Sequence, residues 1–244
     1  MNDKNFQLEE FYNSVQEKTE LFRCKCEDAW SGPIENSWCP CQYFYFTDEY
    51  LNSAIKVMIV GKATNGWFQD PSWTVKQAME ATKEFLYKDN CAGSFFWRFS
   101  WEFESLMNGE KPFGKFNVFY SNMFRISNDA EPKDLYRHPE LVEEYLDAVQ
   151  SLSHEIRIAS PDVLLFLTGP DYDTYLMRIF RGVRFEKASA KYSERELARL
   201  VHESLPVNTF RLYHPNYANR DKVHLWENLL PELRNLINGQ DSLE

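Results

Sequence analysis

The sequence predicts a three-layer α/β/α fold with a central, mostly parallel sheet of four strands. Three apolar runs of strand length indicate this fold, because segments with helical spacing separate them and each run ends in polar residues. The runs are 55–67 (IKVMIVGKATNGW), 116–123 (FNVFYSNM) and 210–216 (FRLYHPN). Ligands of a parallel sheet collect at the carboxyl ends of its strands. We therefore expect Thr64, Asn65, Trp67, Asn122 and His214 to share one pocket.

Residues 1–50 are expected to form a helix and a cysteine-containing segment that pack on the main α/β domain, residues 51–244. A stripe of apolar residues predicts an amphipathic helix over 6–21, which would end before the cysteines. The stripe consists of Phe6, Leu8, Phe11, Tyr12 and Val15.

The four strands are predicted at 55–60, 116–120, 163–167 and 210–213, adjacent to one another in one sheet. The third strand is apolar on both faces, which is typical of a central strand. Gly61 is expected to end the first strand, where a residue without a Cβ permits a tight turn and the close approach of a ligand.

Helices are predicted over 74–87, 95–103, 139–158, 171–180 and 222–237. Apolar residues at helical spacing favour one long crossover helix over 139–158. The segment 95–103 (FFWRFSWEF) is too aromatic for an exposed helix. It is either a helix buried against the sheet or a platform on which bases stack.

The charge and the hydropathy pattern limit the function classes. A formal net charge of −10 argues against broad electrostatic capture of nucleic acid, although a local basic face is compatible with it. No apolar run is long enough to span a bilayer or to act as a signal peptide. The expectation is a cytoplasmic monomer that makes no membrane contact.

Four cysteines form two closely spaced pairs, Cys24-Lys-Cys26 and Cys39-Pro-Cys41. They resemble the ligands of a zinc or iron–sulfur site, but two to four residues usually separate paired ligands and here there is one. The alternative is a set of reduced, partly buried thiols, to which Cys91 also belongs. We predict no metal and no other cofactor.

Several polar and aromatic side chains suit recognition of a planar ligand. The amide of Asn122 offers donors and an acceptor to a pyrimidine edge, or else caps a loop. His214 either donates a hydrogen bond to oxygen charge in a transition state or is structural. Trp67 and Phe68 either stack on the ligand or are buried beneath their loop. The chain has no phosphate-binding loop, no nucleophile elbow and no His-Glu-x-x-His helix.

Four segments, in order, resemble the uracil-DNA glycosylase-like superfamily. Residues 61–64 (GKAT) are similar to its first motif, Gly-x-(Asp, Asn or Ala)-Pro, and residues 214–216 (HPN) to its late His-Pro-Ser motif. Ser121-Asn122 resembles the uracil-reading Asn, and residues 160–169 resemble the third strand with its terminal Gly. The resemblance implies a parallel sheet between helices. It also implies that Gly61, Ala63, Thr64 and Asn216 contact the substrate.

The chain differs at three positions from the residues that many members of the family carry. Ala63 stands where many members carry an Asp or Asn that positions the attacking water, Thr64 replaces the Pro, and Asn216 replaces the Ser. Asn65 is the candidate for a shifted water-orienting amide, and Asp70 for a carboxylate in that role.

The resemblance implies a DNA-repair hydrolase that excises uracil or a related damaged base flipped out of DNA. His214 and Asn65 would be its catalytic residues. The alternative is a non-catalytic protein that binds a nucleobase or nucleotide in the same pocket. A basic rim around the pocket would favour DNA binding. Its candidates are Arg98, Arg125, Arg211, Arg220 and Lys222.

Overall fold

A computed structural model describes residues 3–29, 41–64, 70, 72–88, 93–110, 114, 117–126, 139–217 and 224–239. Within these ranges the strands are β1 (Val57–Ala63), β2 (Phe119–Phe124), β3 (Val163–Phe166), β4 (Arg184–Lys187), β5 (Leu197–Val201) and β6 (Asn208–Leu212). The α-helices are α1 (Asp3–Ala29), α2 (Asp48–Asn52), α3 (Val75–Lys88), α4 (Phe95–Asn108), α5 (Pro139–Ala148), α6 (Leu152–Ala159), α7 (Asp173–Ile179) and α8 (Leu230–Ile237). The chain is therefore an α/β protein.

The strands form one mixed sheet in the order β2-β1-β3-β6-β5-β4. The four predicted strands are neighbours and run parallel to one another. The prediction of a four-stranded sheet is wrong, because β5 and β4 extend it in antiparallel orientation. The sequence pattern missed β4 because that strand is short, charged and mostly exposed, as edge strands often are.

Both faces of the sheet centre are covered. All four residues of 57–60 are fully buried, as are all four residues of β3. In β2 the ring of Tyr120 contacts Phe96 and Trp97 of α4, whereas the hydroxyl of the next residue, Ser121, donates to Glu155 of α6. Because successive residues of a strand point to opposite faces, α4 and α6 lie on opposite faces of the sheet.

Two strand ends differ from the prediction. β1 continues through Gly61 to Ala63, and β2 continues through Asn122 to Phe124. Gly61 and Asn122 are therefore register partners within paired strands. Gly61 is not the turn residue that its sequence context predicts.

The N-terminal helix is longer than predicted. α1 extends to Ala29 and includes Cys24 and Cys26, which were expected to follow it. It packs against α3, α5 and α6.

The predicted helix over 139–158 is two helices, because the helical conformation is interrupted between Ala148 and Leu152. At the break the carbonyl of Val149 accepts a hydrogen bond from the guanidinium of Arg125 at 3.3 Å. The predicted helix over 171–180 is a 3₁₀ turn, Pro170–Tyr172, followed by α7.

The aromatic segment forms α4, a buried helix, and its buried aromatic residues are Phe96, Trp97, Phe99 and Phe103. The described part of the closing helix begins as a π-helical turn, His224–Leu229, and continues as α8. Among all described helices, none is both long and apolar enough to cross a membrane.

A buried ion pair joins Arg125, just after β2, to Glu155 of α6. The two residues are 1% and 0% exposed, and Nε of Arg125 lies 3.7 Å from Oε1 of Glu155. The guanidinium also donates to the carbonyls of Gln42 and Val149. Glu155 accepts hydrogen bonds from the hydroxyls of Tyr12, Ser121 and Ser151.

This ion pair predicts a large effect of Glu155→Gln on stability, because the substitution leaves the Arg125 charge buried without its counter-charge. We expect the free energy of unfolding to fall by about 3 kcal/mol or more, measured by urea unfolding at neutral pH. The matched control is Glu143→Gln, which breaks a pair with Arg178 at the surface, where the two side chains are 57% and 46% exposed. The control should change stability by less than about 1 kcal/mol. Equal effects of the two substitutions would contradict this account.

Candidate functional site

Asn122 and Gly61 face each other near the carboxyl ends of β2 and β1. Asn122 is 1% exposed and lies beside Gly61 in the paired strand. A Cβ at position 61 would lie 2.5 Å from Oδ1 of Asn122 and 3.4 Å from the hydroxyl of Tyr120. Position 61 therefore needs a glycine, because any side chain there would displace the Asn122 amide.

Both ends of the Asn122 amide have a protein partner. The hydroxyl of Tyr120 donates to Oδ1 at 2.7 Å, and Nδ2 donates to Oε1 of Gln42 at 3.3 Å. Burial raises the pKa of the Tyr120 phenol, so this hydroxyl keeps its proton at physiological pH.

Arg125 holds the backbone of Gln42 by two hydrogen bonds. Its backbone N–H donates to the carbonyl of Arg125 at 2.9 Å, and its own carbonyl accepts from Nη1 of Arg125 at 3.2 Å. The side chain that contacts Asn122 is thereby attached to the buried ion pair.

His214 follows β6 in a tight turn. The backbone N–H of Tyr217 donates to its carbonyl at 2.8 Å, and the backbone N–H of Asn216 donates to its Nδ1 at 3.2 Å. Since Nδ1 accepts, the ring proton of a neutral His214 resides on Nε2. Within the described part of the chain, Nε2 has no hydrogen-bond partner.

Burial lowers the pKa of His214 to about 4, with a smaller contribution from the positive charge of Lys62. The imidazole is therefore neutral at physiological pH, and Nε2 is a neutral hydrogen-bond donor.

Phe96 of α4 links His214 to the Asn122 side of the site. Its ring is stacked on the His214 ring at 5.3 Å between centroids and meets the Tyr120 ring edge-on at 5.5 Å. We call Gly61, Phe96, Tyr120, Asn122 and His214 the strand-end site. It brings a buried amide and a neutral imidazole to the same aromatic wall.

The structure describes only some of the other residues predicted for the site. Ala63 ends β1 and Thr64, directly after it, is 2% exposed. Asn216 is exposed and contributes its backbone N–H to His214. Three predicted residues lie outside the described residues: Asn65, Trp67 and Phe68.

Asp70, the candidate carboxylate, forms a turn. Its Oδ1 accepts hydrogen bonds from the backbone N–H and the hydroxyl of Ser72. These two hydrogen bonds lower the pKa of Asp70. The oxygen is thus used to shape the chain that leads into α3.

Two of the five residues proposed for the basic rim, Arg125 and Arg211, are buried and cannot contribute to it. Arg125 is buried beside Glu155, and Arg211 is 1% exposed and bound through two nitrogens to the carboxylate of Asp173. Arg98 is exposed and pairs with Glu102. The two remaining candidates, Arg220 and Lys222, lie outside the described residues.

The described cysteines do not converge. Cys24 and Cys26 lie two residues apart on α1, so they point to different sides of the helix, and one is exposed while the other is buried. Burial raises the pKa of Cys26 to about 12 and that of Cys41 to about 11, so both are protonated thiols at physiological pH in the absence of a metal. No metal-binding cluster of His, Cys, Asp or Glu occurs among the described residues. Cys39 and Cys91 lie outside them.

Sequence reasoning missed Gln42, Phe96 and Tyr120 as site residues. Tyr120 precedes Asn122 by two positions, and residues i and i+2 of a strand share a face, so this neighbour could have been found. The sequence carries no comparable signal for Gln42, which is 80 residues away from Asn122 along the chain.

We expect Gly61→Ala to displace the Asn122 amide and to lower the free energy of unfolding by about 1–3 kcal/mol, the usual cost of overpacking. Urea unfolding measures the loss, and the NMR signals of the Asn122 side-chain amide report its displacement. Gly93→Ala is the matched control, because a Cβ at position 93 meets no atom within 4 Å. The control should change stability by about 0.5 kcal/mol or less. Unchanged Asn122 signals in Gly61→Ala would contradict the predicted clash.

His214 gives a pH-dependent prediction. Its pKa is lowered from 6.5 to about 4 in the folded protein, so on acidification the unfolded chain takes up this proton first. The contribution to stability is complete above pH 6.5 and is lost as the pH falls towards 4. NMR titration of the imidazole should give a midpoint near pH 4. In His214→Ala, this component of the acid destabilisation should disappear. A midpoint near 6.5 would contradict the burial argument.

Comparison with known proteins adds no family to this description. No family model matches the chain, and a search of curated proteins finds no match. The function is therefore argued from the geometry of the strand-end site.

Proposed function

We propose that the strand-end site hydrolyses the N-glycosidic bond of uracil, or of a related damaged base, in DNA. In this reaction water adds to the sugar carbon and loses a proton to solvent, the carbon–nitrogen bond breaks, and its electron pair leaves with the base, which takes up a proton from solvent after release. The leaving base carries negative charge on its carbonyl oxygens. A site that accelerates the reaction has to stabilise that charge.

The observation that carries the proposal is the protonation state of the His214 ring. Its neutral ring holds the proton on Nε2, because the Asn216 N–H occupies Nδ1. A preorganised donor stabilises a developing oxyanion, and removal of one such donor typically costs about a hundredfold or more in rate. His214 would thus act on the leaving base as a neutral hydrogen-bond donor.

Asn122 supports the recognition step. Each atom of its amide uses one hydrogen-bonding site on the protein, so Oδ1 retains a lone pair and Nδ2 retains a proton. These two groups are complementary to a ring N–H beside a carbonyl, the edge that uracil presents. The aromatic wall of Phe96 and Tyr120 suits a flat ligand.

The second candidate is a non-catalytic protein that binds a nucleobase or nucleotide. The burial of Arg125 and Arg211 in ion pairs favours it, because it removes two of the predicted contacts to DNA phosphates. Ala63 also favours it, because a methyl group cannot orient an attacking water.

The test is excision of uracil or hypoxanthine from single- and double-stranded oligonucleotides, measured by alkaline cleavage at the abasic site. His214→Ala should lower the rate by about a hundredfold or more. His202→Ala is the matched control. His202 directly follows β5, near the amino end of the antiparallel β6, and bonds to the Ser204 hydroxyl and the Arg181 carbonyl, so its replacement should leave the rate unchanged.

Two outcomes would refute the enzyme. In the first, the unmodified protein excises no base above buffer but binds free uracil in a titration, which favours the binding protein. In the second, His214→Ala excises as fast as the unmodified protein, which removes His214 from the reaction.

A further inference from the structure

A separate cleft lies at the opposite end of the parallel strands from the strand-end site. It has a volume of about 660 Å³ and lies between α6 and the turn that joins β5 to β6. Because α6 leads into β3 and the turn leads into β6, the cleft lies at the amino ends of these two parallel strands. Its volume is in the range of small-molecule sites. We call it the amino-end cleft.

The two walls of the amino-end cleft carry opposite charges. Arg157 lines it from α6, and Glu203 lines it from the β5–β6 turn. Both residues are exposed, and within the described part of the chain neither charged group has an ion-pair or hydrogen-bonding partner. They line the same cleft without pairing with each other. The space between them therefore suits a ligand that carries one charge of each sign.

Arg157 is not needed to cap its helix. An arginine in the last turn of a helix often binds the last backbone carbonyls. Here other residues do so, since Nζ of Lys4 donates to the carbonyls of Ile158 and Ala159 at 2.6 and 2.8 Å. The hydroxyl of Ser160 donates to the carbonyl of Arg157 itself at 2.9 Å. The guanidinium of Arg157 is thus left for a ligand.

Arg157 also lines a smaller cleft, of about 360 Å³, on the side of α1. The acidic residue of that cleft is Glu10, and among the described residues it forms no ion pair with Arg157 either. The positive charge is therefore not neutralised from the α1 side.

The turn that carries Glu203 is held by hydrogen bonds. The hydroxyl and the backbone N–H of Ser204 bond to Nδ1 of His202 at 2.7 and 3.2 Å. The hydroxyl of Thr209 donates to the carbonyl of Pro206 at 2.6 Å. A wall that is ordered in advance loses little conformational entropy when a ligand binds. The backbone position of Glu203 is therefore set before binding.

Apolar side chains complete the amino-end cleft. Ile156 and Leu205 line it and are 3% and 8% exposed, and Pro161 and Pro206 line it as well. An aliphatic group of a ligand that packs against them would leave water, which favours binding.

We propose that the amino-end cleft binds a small zwitterion with an apolar side chain, the chemistry of a free aliphatic amino acid. Arg157 binds the carboxylate, since a guanidinium and a carboxylate can form two parallel hydrogen bonds. Glu203 accepts hydrogen bonds from the ammonium group, and the side chain packs against Ile156 and Leu205. The cleft is separate from the strand-end site, so this inference does not depend on the proposed reaction.

NMR titration of the protein with L-leucine tests the inference. We expect saturable binding in the millimolar range or tighter. The shifts should concentrate at the backbone amides of 203–205 and at the ring of His154, which lines the cleft and is stacked on Phe11 at 4.6 Å between centroids.

Two substitutions remove the charges of the cleft one at a time. Arg157→Met and Glu203→Gln should each weaken leucine binding about fivefold, the effect expected of an exposed ion pair in good geometry. Both residues are exposed, so neither change should disturb the fold. Arg234→Met is the matched control, because Arg234 is an exposed arginine of α8 that lines neither cleft. It should leave the affinity unchanged.

Two analogues of leucine assign each charge to its partner. Leucinamide lacks the carboxylate, so Arg157→Met should not weaken its binding, whereas Glu203→Gln should. The carboxylic acid 4-methylpentanoate lacks the ammonium group, so Arg157→Met should weaken its binding, whereas Glu203→Gln should not.

Three outcomes would overturn the inference. The first is the absence of saturable leucine binding, or shifts confined to the strand-end site. The second is leucine binding that neither Arg157→Met nor Glu203→Gln weakens. The third is equal affinity for leucine and 4-methylpentanoate, because a site for zwitterions has to gain from the ammonium group.

Discussion

The buried pair of Arg125 and Glu155 is the interaction on which most of this structure depends. Transfer of two charges from water into a protein interior is costly, and it is tolerated only where hydrogen bonds satisfy the remaining polar atoms. Here those partners come from separate segments of the chain. They belong to α1, the stretch 41–47, β2 and the chain from the end of α5 to α6. The pair therefore connects α1 and the stretch 41–47 to β2 and α6.

The same pair reaches the strand-end site through Gln42. The peptide of Gln42 satisfies Arg125, and its side chain accepts from Asn122. The ion pair and the strand-end site are thus coupled, because a shift of the pair would move the acceptor that Asn122 binds. The coupling also explains why a residue far from β2 in sequence belongs to the site.

The buried arginines lie in ion pairs, whereas the side chains of the strand-end site are uncharged. Arg125 and Arg211 are neutralised in the interior, while the functional groups at the strand ends are uncharged. His214 is neutral because burial disfavours its protonated form, and Asn122 is neutral at every pH. In the proposed function, such a site would recognise a flat, uncharged ligand by the direction of its hydrogen bonds. The net charge of −10 fits this mode of recognition better than it fits electrostatic capture of DNA.

The sequence alone determined the α/β class, the four parallel strands and the burial of α4, because apolar periodicity reports which surfaces avoid water. It also indicated Asn122 and His214 as polar residues near the carboxyl ends of two strands. The sequence did not reveal β4, whose few exposed residues leave no apolar pattern, or the break between α5 and α6, where a carbonyl of the chain satisfies Arg125.

Only the tertiary structure decided what the site residues can do. Gly61 looks like a turn residue in the sequence, but in the sheet it makes room for the Asn122 amide. Two of the arginines that looked like DNA contacts, Arg125 and Arg211, are buried in ion pairs, and the tautomer of His214 follows from a backbone N–H two residues away. These properties depend on atoms brought together from distant positions. Local sequence fixes which groups a residue carries, whereas the fold fixes their partners, their protonation and their orientation.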